Sequence, residues 1–105
     1  HPQGLAGLQL GIVATHEAAA AELAGLASAA ARRGWACRCF LTDTGVLLLR
    51  SPEVLALARS GAMRLDVCEL SWERFAAGPL PEGAHAGGQY NNAELAHVCD
   101  RVVVL

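Results

Sequence analysis

Residues 8–34, LQLGIVATHEAAAAELAGLASAAARRG, decide the fold class. The apolar run 8–14 has the length and composition of a strand that is buried on both faces. The alanine-rich segment after it repeats apolar residues at helical spacing as far as Arg33, and Thr15 is a candidate N-cap. Gly34 supplies the left-handed residue that ends such a helix. A buried strand followed by an amphipathic helix predicts an α/β fold.

The rest of the chain continues this alternation. The predicted elements are strand 35–41, a helix from Ser51 to Gly61, strand 63–70, a helical turn over 71–75, a helix from Asn91 or Asn92 to Val98, and strand 101–105. Periodicity does not decide whether residues 46–49 form a helical turn. Residues 76–88 contain two prolines and four glycines, which predict a flexible loop bordering the site. This order predicts one domain, 1–105, with three α/β/α layers around a mainly parallel sheet of four to five strands.

The composition indicates a packed protein outside the membrane. Of the 105 residues, 53% are apolar and 17% are charged, which suits one buried core and excludes disorder. The apolar runs are far shorter than the roughly 20 residues that span a bilayer. Residues 1–7 lack the charged start and apolar stretch of a secretory signal. Four cysteines in so apolar a chain indicate reduced thiols and a cytoplasmic location.

The distribution of charge argues against a nucleic-acid site, and the spacing of two cysteines argues against a metal site. All eight basic residues are arginines, spread along the sequence from Arg32 to Arg101, and the formal net charge is −2. This pattern argues against direct binding of nucleic acid, which needs cations gathered on one face. Cys37 and Cys39 form a C-x-C pattern without a second ligand pair of zinc-like spacing. We therefore predict packing at both positions, with no metal ion and no organic cofactor.

Cys68 is the leading candidate for chemistry because it lies at the end of a predicted parallel strand. In open parallel sheets the functional crevice lies beyond the carboxyl ends of the strands. The first two strands end at the same edge, so Cys68 is expected to share the crevice with His16 and Asp43. His16 would assist proton transfer there. Free N–H groups of a following helical turn would favour a negative sulfur, opposed by Glu69 and Glu73. The alternative is that Cys68 is a small buried core residue.

Four segments after the alanine-rich helix resemble one family when taken together. In order they are 40–46 (FLTDTGV), 61–68 (GAMRLDVC), 89–95 (QYNNAEL) and 100–103 (DRVV). Over nearly its whole length the chain resembles the DsrE/DsrF/TusD family. The resemblance implies an α/β domain that assembles into trimers or hexamers. It further implies a cysteine after the third strand that carries persulfide sulfur between donor and acceptor proteins, in sulfur oxidation or tRNA thiolation. Cys68 matches that position.

Three functions follow as hypotheses, and whether the protein is an enzyme stays open. The first is a sulfur carrier, related to sulfurtransferases, that relays persulfide through Cys68 by thiol exchange. The second is a non-catalytic oligomeric binding or scaffold subunit, since some members of the family lack the cysteine. The third is a cysteine-dependent phosphatase, because Cys68 and Arg74 match the C-x5-R spacing. The intervening residues include no glycine and two acids, so a chance match is the favoured explanation of that spacing.

Overall fold

A parallel sheet forms the centre of the computed structural model, which describes residues 8–105. Within these residues the strands are β1 (Gln9–Ala14), β2 (Ala36–Leu41), β3 (Arg64–Cys68), β4 (Ala84–Gly87) and β5 (Arg101–Val104). The helices are α1 (Ala20–Arg32), α2 (Pro52–Arg59), α3 (Glu69–Phe75) and α4 (Gln89–Val98). Two 3₁₀ segments, Glu17–Ala19 and Asp43–Arg50, follow β1 and β2. Residues 1–7, where no secretory signal is predicted, lie outside the described part.

The strand order β4-β3-β2-β1-β5 explains how the helices are divided between the two faces of the sheet. From β1 to β4, each new strand is added at the same edge of the sheet. The last strand, β5, is added at the opposite edge, beside β1. Since crossovers between parallel strands are right-handed, reversing the direction moves the connecting helix to the opposite face. Helix α4 therefore covers one face, whereas α1 and α2 cover the other. The fold is the three-layer α/β/α arrangement that the sequence predicts.

Alternating residues of the strands contribute to two separate hydrophobic cores, one on each face of the sheet. The larger core contains Ile12, Cys39 and Leu65 from the strands and Leu23 and Val54 from α1 and α2. The smaller core, which we call the α4-side core, consists of Val13, Phe40, Cys68 and Leu95, with Cys99 packed against it. Because side chains alternate across a strand, Cys68 points away from the larger core and towards α4. No helix among residues 8–105 is long and apolar enough to cross a membrane.

The predicted loop 76–88 is wrong in part, because it contains β4. This edge strand, with the sequence Ala-His-Ala-Gly, shows no apolar alternation that would reveal it. Its order comes from the hydrogen-bonded ladder with β3, in which Leu65 pairs with Ala84 and Cys68 pairs with Gly87. Residues 76–83 are irregular, as predicted. A ladder between segments distant in sequence leaves no mark in local periodicity.

Several predicted boundaries and caps also need correction. Strand three ends at Cys68 rather than at residue 70, and the following helix begins at Glu69 rather than at residue 71. Thr15 does not cap a helix, because its hydroxyl donates a 2.8 Å hydrogen bond to the carbonyl oxygen of Leu105. The segment 46–49, left open by periodicity, lies within a 3₁₀ helix.

The start of α4 differs from the prediction by a few residues. The helix begins at Gln89 with Gly88 as its N-cap, so neither Asn91 nor Asn92 occupies the capping position. Asn91 nevertheless contributes to the helix start, since its side-chain oxygen accepts a 3.0 Å hydrogen bond from the N–H of Gly88. The predicted ends of the first two helices are confirmed, because Gly34 and Gly61 both have positive φ angles, of 73° and 82°.

Gly11 allows α4 to lie close against β1. A methyl group at this position would stand 2.6 Å from Cδ2 of Leu95 and 2.9 Å from Sγ of Cys99. Both distances are shorter than a van der Waals contact, so a larger residue would push α4 away from the sheet. The close approach therefore fixes the helix that covers the Cys68 side of the sheet.

We expect Gly11→Ala to destabilise the protein by about 1–3 kcal/mol, because overpacking displaces α4. Gly25→Ala is the matched control, since Gly25 lies in α1 with no neighbouring atom within 4 Å of the added methyl group. The control should gain about 0.5–1 kcal/mol through helix propensity. Urea unfolding of both variants measures the difference. Equal stabilities for the two would contradict the close packing of α4.

Candidate functional site

The hydrogen-bond register of the three central strands places their carboxyl ends at one edge of the sheet. Ala14 pairs with Leu41, and Leu41 pairs with Val67. The residues that follow these three are Thr15 after Ala14, Thr42 after Leu41 and Cys68 after Val67. Because β2 lies between β1 and β3, Thr42 lies between the other two residues. Ligands of open parallel sheets bind beyond this edge, which we call the carboxyl edge. The structure therefore places Cys68 where the sequence analysis expected it.

Cys68 joins β3 to α3 and occupies the N-cap position of that helix. Its backbone is extended, with φ −63° and ψ 114°, and the helix begins at the next residue. The N–H groups of the first helical turn have no partner within the helix. Sulfur is larger than oxygen and makes no conventional capping bond here, but it lies beside the N–H groups of Leu70 and Ser71. One side of the sulfur thus faces donors, whereas the other packs on the α4-side core.

Burial and neighbouring donor groups act in opposite directions on the Cys68 thiol. Burial raises its pKa, since only 7% of the residue is exposed. The hydroxyl and N–H of Ser71, the hydroxyl of Thr42 and the N–H of Leu70 lie beside the sulfur and lower the pKa by favouring the thiolate. These donors outweigh burial, and the pKa of Cys68 lies below its usual value. The site stabilises the thiolate, which is the nucleophilic form of cysteine.

The orientation of the Ser71 hydroxyl has a structural cause. Its oxygen accepts a 2.9 Å hydrogen bond from the backbone N–H of Asp43. Because that oxygen is already an acceptor on this side, the hydroxyl hydrogen is free to point towards Cys68. Asp43 adopts a positive φ of 54°, a conformation that aspartate tolerates better than most residues. The turn after β2 therefore supports the sulfur through a serine on α3.

The other three cysteines have environments that suppress the thiolate. Cys39 is fully buried in the larger core, and burial raises its pKa well above the usual value. Burial, with a contribution from Cys99, raises the pKa of Cys37 to about 11. Burial also raises the pKa of Cys99. All four cysteines are free, and Cys68 is the one whose pKa is lowered.

His16 and Asp43 occupy the carboxyl edge with Cys68, but at different distances. His16 is exposed at the end of β1, which is separated from β3 by β2. At the usual spacing of neighbouring strands, this puts the two strands roughly 10 Å apart. Asp43 is also exposed, and it contacts the site through its backbone N–H, which donates to Ser71, rather than through its carboxylate. The structure brings Asp43 to Ser71 and leaves His16 farther along the edge.

Thr42 and Ser71 are the site residues that sequence reasoning missed. The sequence pattern does not single out either residue, although their hydroxyl groups flank the sulfur. A signal for Ser71 was present, because the third residue of a helix faces back towards its N-cap. Thr42 carried no such signal, since its proximity follows from the pairing of β2 with β3.

The C-x5-R spacing does not produce a phosphate-binding loop. The residues between Cys68 and Arg74 form α3, so most of their N–H groups point along a helix axis rather than into one cradle. The guanidinium of Arg74 lies over the ring of Phe75, with its carbon 5.0 Å from the ring centre. This arrangement differs from a loop of N–H groups that surrounds a phosphate beside an arginine.

Two cavities lie at opposite edges of the sheet, and only the smaller one is near Cys68 in sequence. The larger, of about 760 Å³, lies at the amino ends of the strands and is lined in part by Arg38, Arg64 and Glu94. It is at the opposite edge from Cys68. The smaller, of about 190 Å³, lies between α3, the 78–80 segment and β4. Its lining includes Val67 and Glu69, the residues on either side of Cys68.

A buried carboxylate near the middle of the sheet also escaped sequence reasoning. Asp66 is only 2% exposed and lies between two arginines, with Arg64 at 3.2 Å and Arg38 at 3.7 Å. Arg38 reaches on to Glu94 of α4 at 2.8 Å. A buried carboxylate requires such partners. The network ties β2, β3 and α4 together on the α4 side of the sheet.

No group of three His, Cys, Asp or Glu side chains among residues 8–105 is arranged to hold a metal ion. Cys37 and Cys39 share one face of β2 and pack within the larger core. The two cysteines are thus surrounded by apolar side chains rather than by other metal-binding groups.

Solved structures include a protein with the same fold. The crystal structure of the YchN protein from E. coli superposes with a TM-score of 0.75, over 93% of this chain and 99% of that chain. The two chains share a fold. At 15% identity, the likeness concerns the fold alone. It supports the three-layer α/β/α architecture that the sequence predicts. No protein-family model matches the sequence, and no curated protein matches it.

We expect Cys68 to be the first of the four thiols to react as pH rises. Its lowered pKa gives more thiolate near neutral pH, whereas the pKa values of the other three are raised. Iodoacetamide labelling between about pH 6 and 9, followed by peptide mass spectrometry, gives the rate at each cysteine. Faster labelling of Cys99 than of Cys68 across this range would contradict the environment described here.

Removing the Thr42 hydroxyl should raise the pKa of Cys68, because one donor to the thiolate is lost. We expect Thr42→Val to slow alkylation of Cys68 near neutral pH by about fivefold, as for a hydrogen bond worth ~1 kcal/mol. Thr42→Ser keeps the hydroxyl and should retain the rate. The pH dependence of labelling separates a pKa change from simple shielding, which would lower the rate equally at all pH values.

Proposed function

We propose that this protein is a sulfur carrier in which Cys68 accepts sulfane sulfur as a persulfide and passes it to a partner thiol. The observation that carries the proposal is the set of donors around the Cys68 sulfur at the carboxyl edge. The same donors that stabilise a thiolate also stabilise the negative terminal sulfur of a persulfide. The DsrE-like fold is compatible with this activity, although fold alone does not determine function.

The chemistry is a thiol exchange without net oxidation. The Cys68 thiolate attacks the outer sulfur of a donor persulfide, R–S–SH. A bond forms between Sγ of Cys68 and that sulfur, and the donor S–S bond breaks with its electron pair going to the inner sulfur. The products are Cys68–S–SH and the donor thiolate, R–S⁻. Transfer to an acceptor repeats the step in the opposite sense, so the exchange needs no metal and no organic cofactor.

Assembly into a trimer or hexamer is part of this proposal. Among the described residues, α4 is the one helix that covers its face of the sheet, and β5 leaves Val102 and Val104 partly exposed there. Exposed apolar side chains beside a half-covered sheet favour association. Donor and acceptor are proposed to be proteins, and the free cysteines fit a reducing cytoplasm.

A scaffold subunit is the second candidate function. The small exposure of Cys68 favours it, since a buried thiol contributes to packing without chemistry. Glu69, next to the sulfur in sequence, adds negative charge that opposes a thiolate. In this case Cys68→Ala would leave the biological activity of the complex intact, whereas a carrier would lose it.

Reduced protein incubated with sulfane donors should gain one sulfur at Cys68. Intact mass before and after treatment with a reductant measures the gain and its reversal. Cys68→Ser should abolish the gain, and Cys99→Ser, which removes the other partly accessible thiol, should retain it. Absence of any gain with every donor class would leave the scaffold function as the better account.

A further inference from the structure

Gly87 is the residue of β4 that pairs with Cys68, and the space for its missing side chain is filled by Asn91 of α4. A methyl group added to Gly87 would lie 2.6 Å from Cγ and 3.0 Å from Nδ2 of Asn91, and would also meet Oδ1. Both distances are shorter than a van der Waals contact, so a larger residue would displace this carboxamide. The absence of a side chain at Gly87 therefore allows α4 to place an amide group against β4.

This amide lies on the same face of the sheet as the Cys68 side chain. Paired residues of a parallel ladder direct their side chains to the same face, and Gly87 is the partner of Cys68. Neighbouring strands are ~4.8 Å apart, so the carboxamide of Asn91 lies roughly one strand spacing from Cβ of Cys68. A persulfide is longer than a thiol by one S–S bond of ~2.05 Å. The outer sulfur of a Cys68 persulfide is thus the atom that can reach the amide.

One end of the Asn91 amide is held and the other end is free. The N–H of Gly88 donates a 3.0 Å hydrogen bond to Oδ1, and this bond identifies the oxygen end, because a backbone N–H can only donate. Within the described residues, Nδ2 of Asn91 donates no hydrogen bond. An amide nitrogen carries two N–H donors. Two donors next to the cysteine are therefore available to an anion.

The groups that act on the Cys68 thiol itself lie on its other side. Burial raises the pKa of the thiol, and donors from Thr42, Leu70 and Ser71 lower it. Thr42 follows β2 and the other two residues begin α3, whereas Asn91 lies against β4, across β3 from Thr42. The inner and outer sulfur atoms of a persulfide would thus have different donors.

We propose that Asn91 holds the transferred sulfur, its Nδ2 group donating a hydrogen bond to the outer sulfur of the Cys68 persulfide. The inference rests on the sulfur-carrier function proposed above. After the donor S–S bond breaks, the outer sulfur on Cys68 releases its proton to solvent and becomes an anion. This anion accepts the hydrogen bond from Nδ2, while Gly88 keeps the amide in place through Oδ1. Because the bond exists only in the loaded state, it shifts the exchange equilibrium towards Cys68.

The exchange equilibrium with a small persulfide measures this hydrogen bond. Reduced protein is mixed with cysteine persulfide and excess cysteine, and the ratio of loaded to unloaded Cys68 is read by peptide mass spectrometry after alkylation. We expect Asn91→Ala to lower this ratio about fivefold, as for the loss of one hydrogen bond. The alkylation rate of the unloaded Cys68 thiol should keep its wild-type pH dependence, because the amide acts on the outer sulfur alone.

Asn91 also supports the start of α4, and two aspartate variants separate this structural role from the donor. Asn91→Asp keeps an oxygen that accepts from Gly88 and removes both N–H donors, so it should lower the ratio at least about fivefold. Asn92→Asp is the matched control, because it adds the same charge at the next residue, whose side chain contacts Gln89. It should stay within about twofold of the wild type at ~0.15 M salt, which screens exposed charges beyond ~8 Å.

The possible results separate this proposal from the carrier function. A wild-type ratio in Asn91→Ala would overturn the hydrogen bond and leave the sulfur carrier intact. A wild-type ratio in Asn91→Asp would do the same, since support of the helix would then explain any effect of the alanine variant. A shifted pH dependence of alkylation in Asn91→Ala would also overturn it, because the amide would then act on the thiol itself. No loading of the wild-type protein by any persulfide would overturn both proposals.

Discussion

The site depends on the hydrogen-bonded register of β1, β2 and β3. Pairing of Ala14 with Leu41, and of Leu41 with Val67, brings three strand ends to the same level. This alignment sets the Thr42 hydroxyl beside the Cys68 sulfur and lets the turn after β2 reach Ser71 of α3. A slip of one residue would reverse the face of every side chain on the shifted strand and remove the cysteine from its donors. Packing of strands therefore controls the ionisation of one thiol.

Two further features act on the same side of the sheet. Gly11 permits the close approach of α4, which forms the wall against which Cys68 packs. The ion pairs of Arg38 with Asp66 and with Glu94 connect that helix to the central strands. A buried ionic network is weak evidence for stability, but it specifies one arrangement of the groups that it joins. The sulfur consequently lies between a fixed hydrocarbon wall and a set of polar donors.

The balance at Cys68 distinguishes it from the other cysteines. Cys39 shows the effect of burial without donors, because burial, with contributions from Cys37 and Asp66, raises its pKa well above the usual value. Cys68 is also buried, yet donors from two segments reverse the direction of the shift. The donors are Thr42, directly after β2, and Leu70 and Ser71 at the start of α3; the N–H of Asp43 donates to the Ser71 hydroxyl oxygen.

The sequence by itself determined the alternation of strands and helices, the glycine ends of the first two helices, and the position of Cys68 at the end of a strand. These features are local, since periodicity, caps and turn residues act within a few positions. Only the tertiary structure decided that residues 84–87 form a strand and that Thr42 and Ser71 flank the sulfur. The reason is that strand register and the direction of each crossover are set by contacts between residues far apart in the chain, and no local pattern records them.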